Sequence, residues 1–507
     1  MMHRCSNAAC SFLMLAVIPG FSSVPSTRAG DQPVKVQIHW DRVTRVSQTK
    51  PTLLYGASPI TWRGAPLHDR ILQTLTELGA DDVRYGVGSP YPRMGVAELE
   101  PPSATTTSWD FTYLDPVTED FLNALQGHPV VMDFSTIPQW MFKTPEPVRY
   151  PADPTKLFWE YEQGVELRDP TCKEVGDYFA RLAGWYVNGG FTDELGKWHA
   201  SGHHYKFDYW EVLNEPDIEH GLSPQVYTKI YDATVEAIHK VSPQTKFVGM
   251  SDSYPAGHPD FFAYFLNPNN HRPGIPLDMI SYHFYAVPNQ DEPPEAHQFT
   301  FFNQADRFLE IAGYIETFRK ALSPKTGTMV NEIGTMLPED WAQTKPDYVF
   351  KPIRPSYWNL SAAVYAYVFA GLARLGIDDA GESGIPAAPG LWPSIAMLDW
   401  ETAQPNARFW VLKLIHDNLR PGDKIVETSS DPGYVTTQAF ISPSGERKVL
   451  LVNKRDREFE IDLPETAEGK VQVIDQTTGS SPPASRTFAG SVFRLGGFGV
   501  AVVTLAR

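Results

Sequence analysis

The chain has 507 residues, a formal net charge of −17 at pH 7, and 42% hydrophobic against 20% charged residues. That balance excludes a disordered chain and supplies enough apolar material for a full core. The acidic charge is spread along the chain with no run of Lys and Arg, which argues against binding a nucleic acid backbone or an anionic membrane surface.

The first thirty residues follow the plan of a secretory signal: a short basic start (His3, Arg4), an apolar stretch over residues 8–21, then small residues up to Ala29. The apolar stretch contains Pro19 and Gly20 and falls short of the roughly 20 residues that span a bilayer. Cleavage is expected near Ala29, with an uncleaved anchor as the alternative. Cleavage removes Cys5 and Cys10 and leaves Cys172 without a partner in its own chain. The expectation is a secreted or periplasmic protein with no intrachain disulfide, stabilised by a large core.

Residues 34–39 alternate apolar and polar side chains with period two, the mark of a half-buried strand. From about 50 to 420, short apolar runs ending in polar turns alternate with longer amphipathic stretches, which is the rhythm of βαβ units. The runs at 53–56, 82–86, 130–134, 209–213, 247–250, 279–285, 328–331 and 376–380 are eight candidate strands. Helices are predicted between them, one starting at Ser223-Pro224, where Ser caps and Pro takes the first turn. Residues 361–373 are apolar nearly all round, too short a stretch for a membrane span, and read as a buried helix. Beyond 421 the pattern turns to short strands at 434–440, 448–453, 458–463, 470–475 and 499–505. The predicted fold is a (β/α)₈ TIM barrel with an accessory antiparallel β-sandwich: signal 1–29, an N-terminal strand in 30–50 that crosses over to join the sandwich, barrel 51–420, and sandwich 421–507.

Two segments carry chemistry. In Tyr209-Trp210-Glu211-Val212-Leu213-Asn214-Glu215-Pro216 an apolar strand runs directly into a carboxylate, and Thr328-Met329-Val330-Asn331-Glu332 does the same. The C-terminal ends of barrel strands form the catalytic face. Glu215 closes the fourth predicted strand and Glu332 the seventh. Two carboxyl groups about 5 to 5.5 Å apart can carry out retaining glycoside hydrolysis, one protonating the leaving oxygen while the other attacks the anomeric carbon.

On Trp210-Glu211-Val212-Leu213-Asn214-Glu215-Pro216, Ser281-Tyr282-His283-Phe284-Tyr285 and Asn331-Glu332, the chain resembles the clan A glycoside hydrolases, and among them family 39, which includes β-xylosidases and α-L-iduronidases. The resemblance implies a barrel with a β-sandwich built from both termini, Glu215 as acid/base and Glu332 as nucleophile. The chain departs from many relatives after the second carboxylate, where Ile333 and Gly334 stand in place of an aromatic residue.

Other candidates each have a plain structural alternative. Asn214 is suited to bonding a sugar 2-hydroxyl, or is simply structural. His283 and Tyr285 share one strand face; Tyr285 either donates to the nucleophile or forms a satisfied core pair with His283. Arg84 either lowers the pKa of Glu332 or makes an ordinary ion pair. Glu382, placed after the eighth predicted strand, either meets a sugar hydroxyl or is a solvated loop carboxylate. Trp140 and Trp392 could offer apolar faces to a sugar ring. Asp217 and Glu219 read as helix-entry or surface charges. His203-His204 lacks zinc-ligand spacing, and His-Glu-x-x-His, Gly-x-Ser-x-Gly and a phosphate-binding Gly-Lys-Ser/Thr loop are all absent from the sequence. The expected function is retaining hydrolysis of oligo- or polysaccharides without metal or cofactor, with no nucleic acid or membrane partner and the oligomeric state open. The alternatives are a carbohydrate-binding protein that has lost turnover and a transglycosylase on the same scaffold.

Overall fold

Eight short apolar runs carry the molecule. In a computed structural model, which describes residues 32–505 apart from 89–90, 148, 159–165, 343–350, 387–391 and 464–467, they close into a parallel barrel. The proposed signal at 1–29 lies outside the described residues. Barrel strands one to eight are Lys50–Gly56, Val83–Val87, Val130–Phe134, Tyr209–Glu211, Lys246–Asp252, Met279–Ala286, Gly327–Thr335 and Asp379–Ile385. The eighth pairs back onto the first, with Ala380 opposite Pro51 and Glu382 opposite Leu53. Their composition follows from burial on both faces; all five residues of Val130–Phe134, for example, are buried.

A helix follows each strand, and the ends of these helices are chemically marked. Ser223 caps Pro224–Val241 by accepting from the Val226 N–H, and Pro224 takes the first turn. Pro355–Leu375 ends at Gly376, whose φ of 81° is a left-handed cap that costs glycine little. This helix has 21 residues, longer than the apolar stretch suggests, and is buried on nearly every face. Among the described residues no helix is long and apolar enough to cross a membrane.

The eighth strand corrects the sequence expectation. It was placed at 376–380, but Gly376 terminates the preceding helix and the strand is Asp379–Ile385. Its sequence, Asp-Ala-Gly-Glu-Ser-Gly-Ile, has little β propensity of its own; parallel pairing on both sides and full burial hold it extended. Glu382 therefore sits inside a strand, not on a loop. It is fully buried and ion-paired to Arg408 Nε at 2.9 Å, and Arg408 also donates to the carbonyls of Ser383 and Ile395. Neither sequence alternative for Glu382, a sugar contact or a solvated carboxylate, survives this placement.

Of the remaining described strands, Gly190–Thr192 and Trp198–Ala200 pair as a small hairpin, and the other nine form one continuous sheet. Val34–Val46 lies within it, antiparallel to Lys424–Asp431 and parallel to Phe459–Asp462. The sheet curls around a single apolar core that includes Val34, Val36, Val435, Leu451, Ile461 and Val503. Three of its strands, Lys424–Asp431, Ala484–Ala489 and Val492–Leu495, lack a clear apolar alternation and went unread in the sequence. The sheet docks on the last barrel helices through Arg374 to Gln438, Trp410 to the Ser480 carbonyl, and Lys448 to the Asn418 carbonyl.

Removing one partner of a buried ion pair strands the other charge. Glu382→Ala is expected to lower unfolding stability by about 3–5 kcal/mol, measured by urea denaturation. A loss below about 1 kcal/mol would mean that Arg408 is satisfied by carbonyls alone.

Candidate active site

The site is built where strands four and five end. Beyond Glu211 the backbone leaves extended geometry: Leu213 has φ 67° and Glu215 φ 39°, and on the neighbouring strand Met250 has φ 88° and Ser251 φ 45°. Left-handed conformations in non-glycine residues cost about 1–3 kcal/mol each and persist only when their surroundings over-determine them. Here the Glu215 N–H donates to the Ser251 carbonyl at 3.1 Å, and the Ile218 and Glu219 N–H groups donate back to the Glu215 carbonyl. Buried Tyr227 donates to the Val212 carbonyl and accepts from the Met250 N–H. These bonds lock the turn that aims Glu215.

Glu332 lies within strand seven and is 7% exposed. One carboxylate oxygen accepts from Arg84 Nη1 at 2.5 Å and the other from the Tyr285 hydroxyl at 2.5 Å. Gly334 permits the second contact, since a Cβ there would fall 3.0 Å from the Tyr285 ring. Burial works to raise the Glu332 pKa, but the charges of His283 and Arg84 and the hydrogen bonds from Tyr285 and Arg84 outweigh it and hold the carboxyl below its ordinary value.

Glu215 accepts from His283 Nδ1 at 2.7 Å, and His283 Nε2 faces Ser251 Oγ at 3.1 Å and Glu332 at 3.7 Å. Burial pushes Glu215 above the ordinary carboxylate value; the hydrogen bond and charge of His283 oppose this, while Glu332 and Asp217 add to it. Burial tends to lower His283, but Glu332 and Glu215 raise it overall. Carboxylate oxygens of Glu215 and Glu332 come within 4.8 Å of each other.

Arg84, 2% exposed, connects the pair to the barrel interior. Besides Glu332 it binds Glu211 through Nε, and through Nη2 it binds Asp133 and Asn214, each at 2.7 Å, and Ser251 at 3.2 Å. Glu211 also accepts from Ser281 and Asn331. Asn214 is held at both ends, its oxygen on Arg84 and its nitrogen on Glu219 at 2.9 Å. Burial and the nearby Glu215 charge push the Glu219 carboxyl well up.

A cavity of about 390 Å³ opens over these groups. Glu215, Glu332, Asn214, Tyr285, Arg84 and Trp392 line it, with His283 directly beneath. Trp140 does not: Arg168 stacks on its ring and its indole N–H donates to the Glu98 carbonyl. Glu382 is absent from the lining for the reason given above. Glu219, read from sequence as a surface charge, lines the cavity, and the side chain of Asp217 is buried beside it at 2% exposure. Glu211, Asp133 and Asn331 went unread. The available signal was a charge within an otherwise buried run, at Asp133 in Val-Val-Met-Asp-Phe and at Glu211 in Tyr-Trp-Glu.

Comparisons with known proteins bear on the family and the fold. The family model "Glycosyl hydrolases family 39" matches residues 101–298, a stretch that contains Glu215, His283 and Tyr285. That match takes in the first two of the three segments on which the resemblance rests and supports a glycosidase, while Asn331-Glu332 lies beyond it. No curated protein matches the sequence. Solved structures share the fold at low identity. A family 51 arabinofuranosidase from Xanthomonas axonopodis pv. citri is 12% identical with a TM-score of 0.63 over 94% of this chain and all of that one. A glucosidase from Croceicoccus marinus is 14% identical with a TM-score of 0.57, and a family 30 endoxylanase from Clostridium papyrosolvens is 12% identical with 0.56, each over 94% of this chain and all of its own.

Arg84 is the counter-charge for Glu332 and two further buried carboxyls. Arg84→Met is expected to cost about 3–5 kcal/mol in urea denaturation and, by releasing Glu332 from a cation, to move the acid limb of kcat/KM to higher pH. An acid limb that stays put would show that Tyr285 and His283 suffice to hold Glu332 ionised.

Proposed function

We propose that the chain is a secreted or periplasmic retaining glycoside hydrolase, with Glu332 as nucleophile and Glu215 as acid/base. One observation carries the reading: two carboxyls within 4.8 Å of each other have their pKa values driven in opposite directions, Glu332 down and Glu215 up. Groups pushed apart in this way divide into a base or nucleophile and an acid. The approach of their oxygens suits the spacing of retaining enzymes, which leaves no room for an intervening water.

In the first step ionised Glu332 attacks the anomeric carbon and Glu215 gives its proton to the departing glycosidic oxygen. The Glu332 oxygen bonded to Tyr285 or Arg84 stays oriented while the other forms the ester. In the second step Glu215, now ionised and close to His283, takes a proton from water, which displaces the sugar from Glu332. The free N–H of the Asn214 amide is available to the 2-hydroxyl, a bond that strengthens as charge develops on the ring.

The lining favours a neutral sugar. Among the described residues that line the cavity, Arg84 is the one cation, and carboxylates occupy it. Apolar contact from Trp392, Met336 and Ile395 beside Tyr285 suits a ring face. A neutral O-glycoside of an oligo- or polysaccharide is the substrate class this supports.

Glu332→Gly is expected to abolish turnover of aryl glycosides, with azide restoring release and giving the glycosyl azide of inverted configuration; near-normal hydrolysis by that variant would remove Glu332 from the nucleophile role. Glu215→Ala should lower rates with poor leaving groups far more than with activated ones. The pH profile supplies a further mark. The wild type needs Glu332 ionised and Glu215 protonated, so kcat/KM should fall at low pH as Glu332 protonates and at high pH as Glu215 ionises. In Glu215→Ala the basic limb should vanish, and its persistence would assign it to another group.

A further inference from the structure

We propose that Asp217, Asp252 and His258 form a binding site for a divalent transition-metal ion of zinc type, separate from the carboxylate pair. Asp217 follows strand four, Asp252 ends strand five, and His258 immediately precedes the helix Pro259–Phe265. Their donor atoms converge. The Oδ2 atoms of Asp217 and Asp252 lie 3.5 and 3.6 Å from His258 Nδ1, and all three atoms fall within 4.8 Å of one another.

Two of these atoms have nothing else to bind. Asp252 is 1% exposed, and neither its Oδ2 nor His258 Nδ1 has a hydrogen-bond partner, although both atoms are shut off from solvent. An orphaned buried carboxylate oxygen is costly unless a cation or a proton meets it. The other oxygens orient the cluster: Asp252 Oδ1 accepts from the Tyr254 N–H and Asp217 Oδ1 from the Ser253 N–H, each at 3.1 Å, while the ligand atom Asp217 Oδ2 also accepts from the Ser253 hydroxyl. Ligating carboxylates are held by such supporting bonds.

The spacing suits zinc. Bonds of about 2.0–2.1 Å in a tetrahedron put ligand atoms roughly 3.4 Å apart, close to both separations from His258. Two carboxylates and a neutral imidazole bring a charge that a dication cancels, and three protein ligands leave a fourth position for water. The His258 side chain is 38% exposed, which gives the ion a path from solvent. Such an ion would bind together two strand ends and a helix start, two residues from Glu215. The other occupant is a proton on Asp252, whose carboxyl burial and the charge of Asp217 push up to about 8.

The test is calorimetric titration of zinc chloride into the EDTA-treated, buffer-exchanged full chain, with thermal unfolding in parallel. One equivalent should bind the wild type and raise its unfolding midpoint. Asp252→Asn and His258→Gln should each weaken binding more than about 100-fold, beyond what losing a supporting contact costs. Glu332→Gln should leave zinc binding intact, since the catalytic cluster is not the site. Absence of zinc uptake by folded wild type overturns the proposal in favour of the proton on Asp252. So does undiminished binding by the partly exposed His258→Gln variant, or loss of binding in Glu332→Gln alone.

Discussion

One buried guanidinium organises the catalytic face. Arg84 carries a single positive charge in a barrel interior, yet three carboxyls, from Asp133, Glu211 and Glu332, lean on it, and Asn214 takes what remains of its donors. Water cannot share the load at 2% exposure. The charges therefore settle among themselves. Burial, with Glu211 and Glu332 adding to it, pushes Asp133 well up against the pull of Arg84. Glu332 goes the other way because the charges of His283 and Arg84 are joined there by hydrogen bonds from Tyr285 and Arg84. The ionisation of Glu332 is thus a property of the whole cluster, spread over strands two, three, four, six and seven.

Strain is the second ingredient. Four non-glycine residues in left-handed geometry stand side by side at the ends of strands four and five, and Glu215 is one of them. Relaxing Glu215 itself would swing its carboxyl away from His283. The bonds that forbid relaxation come from Tyr227 and from the two strand ends themselves, so rigidity at this point derives from the barrel wall and its covering helix. Rigid elements hold a reacting group in place more accurately than a loop does.

Much of this was legible before any coordinates. Apolar runs leading into Asn214-Glu215 and Asn331-Glu332 identify the two barrel strands that carry the pair, although strand seven runs on past Glu332 to Thr335, and strict alternation singled out the face shared by His283 and Tyr285. What was not legible depends on contacts distant in sequence. Glu211 and Asp133 look like blemishes in apolar strands until Arg84 is seen beside both. Glu382 was misplaced because the strand that holds it has no propensity of its own, and its partner Arg408 lies on the next helix. Trp140 and Glu219 exchanged roles with respect to the cavity because exposure of a loop side chain is decided by what other loops cover, which local pattern does not encode.

The strand Val34–Val46 precedes the barrel in the chain yet lies inside a sheet whose other members all follow the barrel. Arg42 and Glu427, in contact across it, are 385 residues apart in sequence. Closing so long a loop carries an entropy penalty that must be met before the pairing is rewarded, and topologies rich in such pairings fold slowly. During synthesis the first strand has no partner until almost the entire polypeptide has emerged. The barrel, whose units are contiguous, can assemble in the interval, and the β-domain then forms last, as a clasp that joins the two ends of an already folded enzyme.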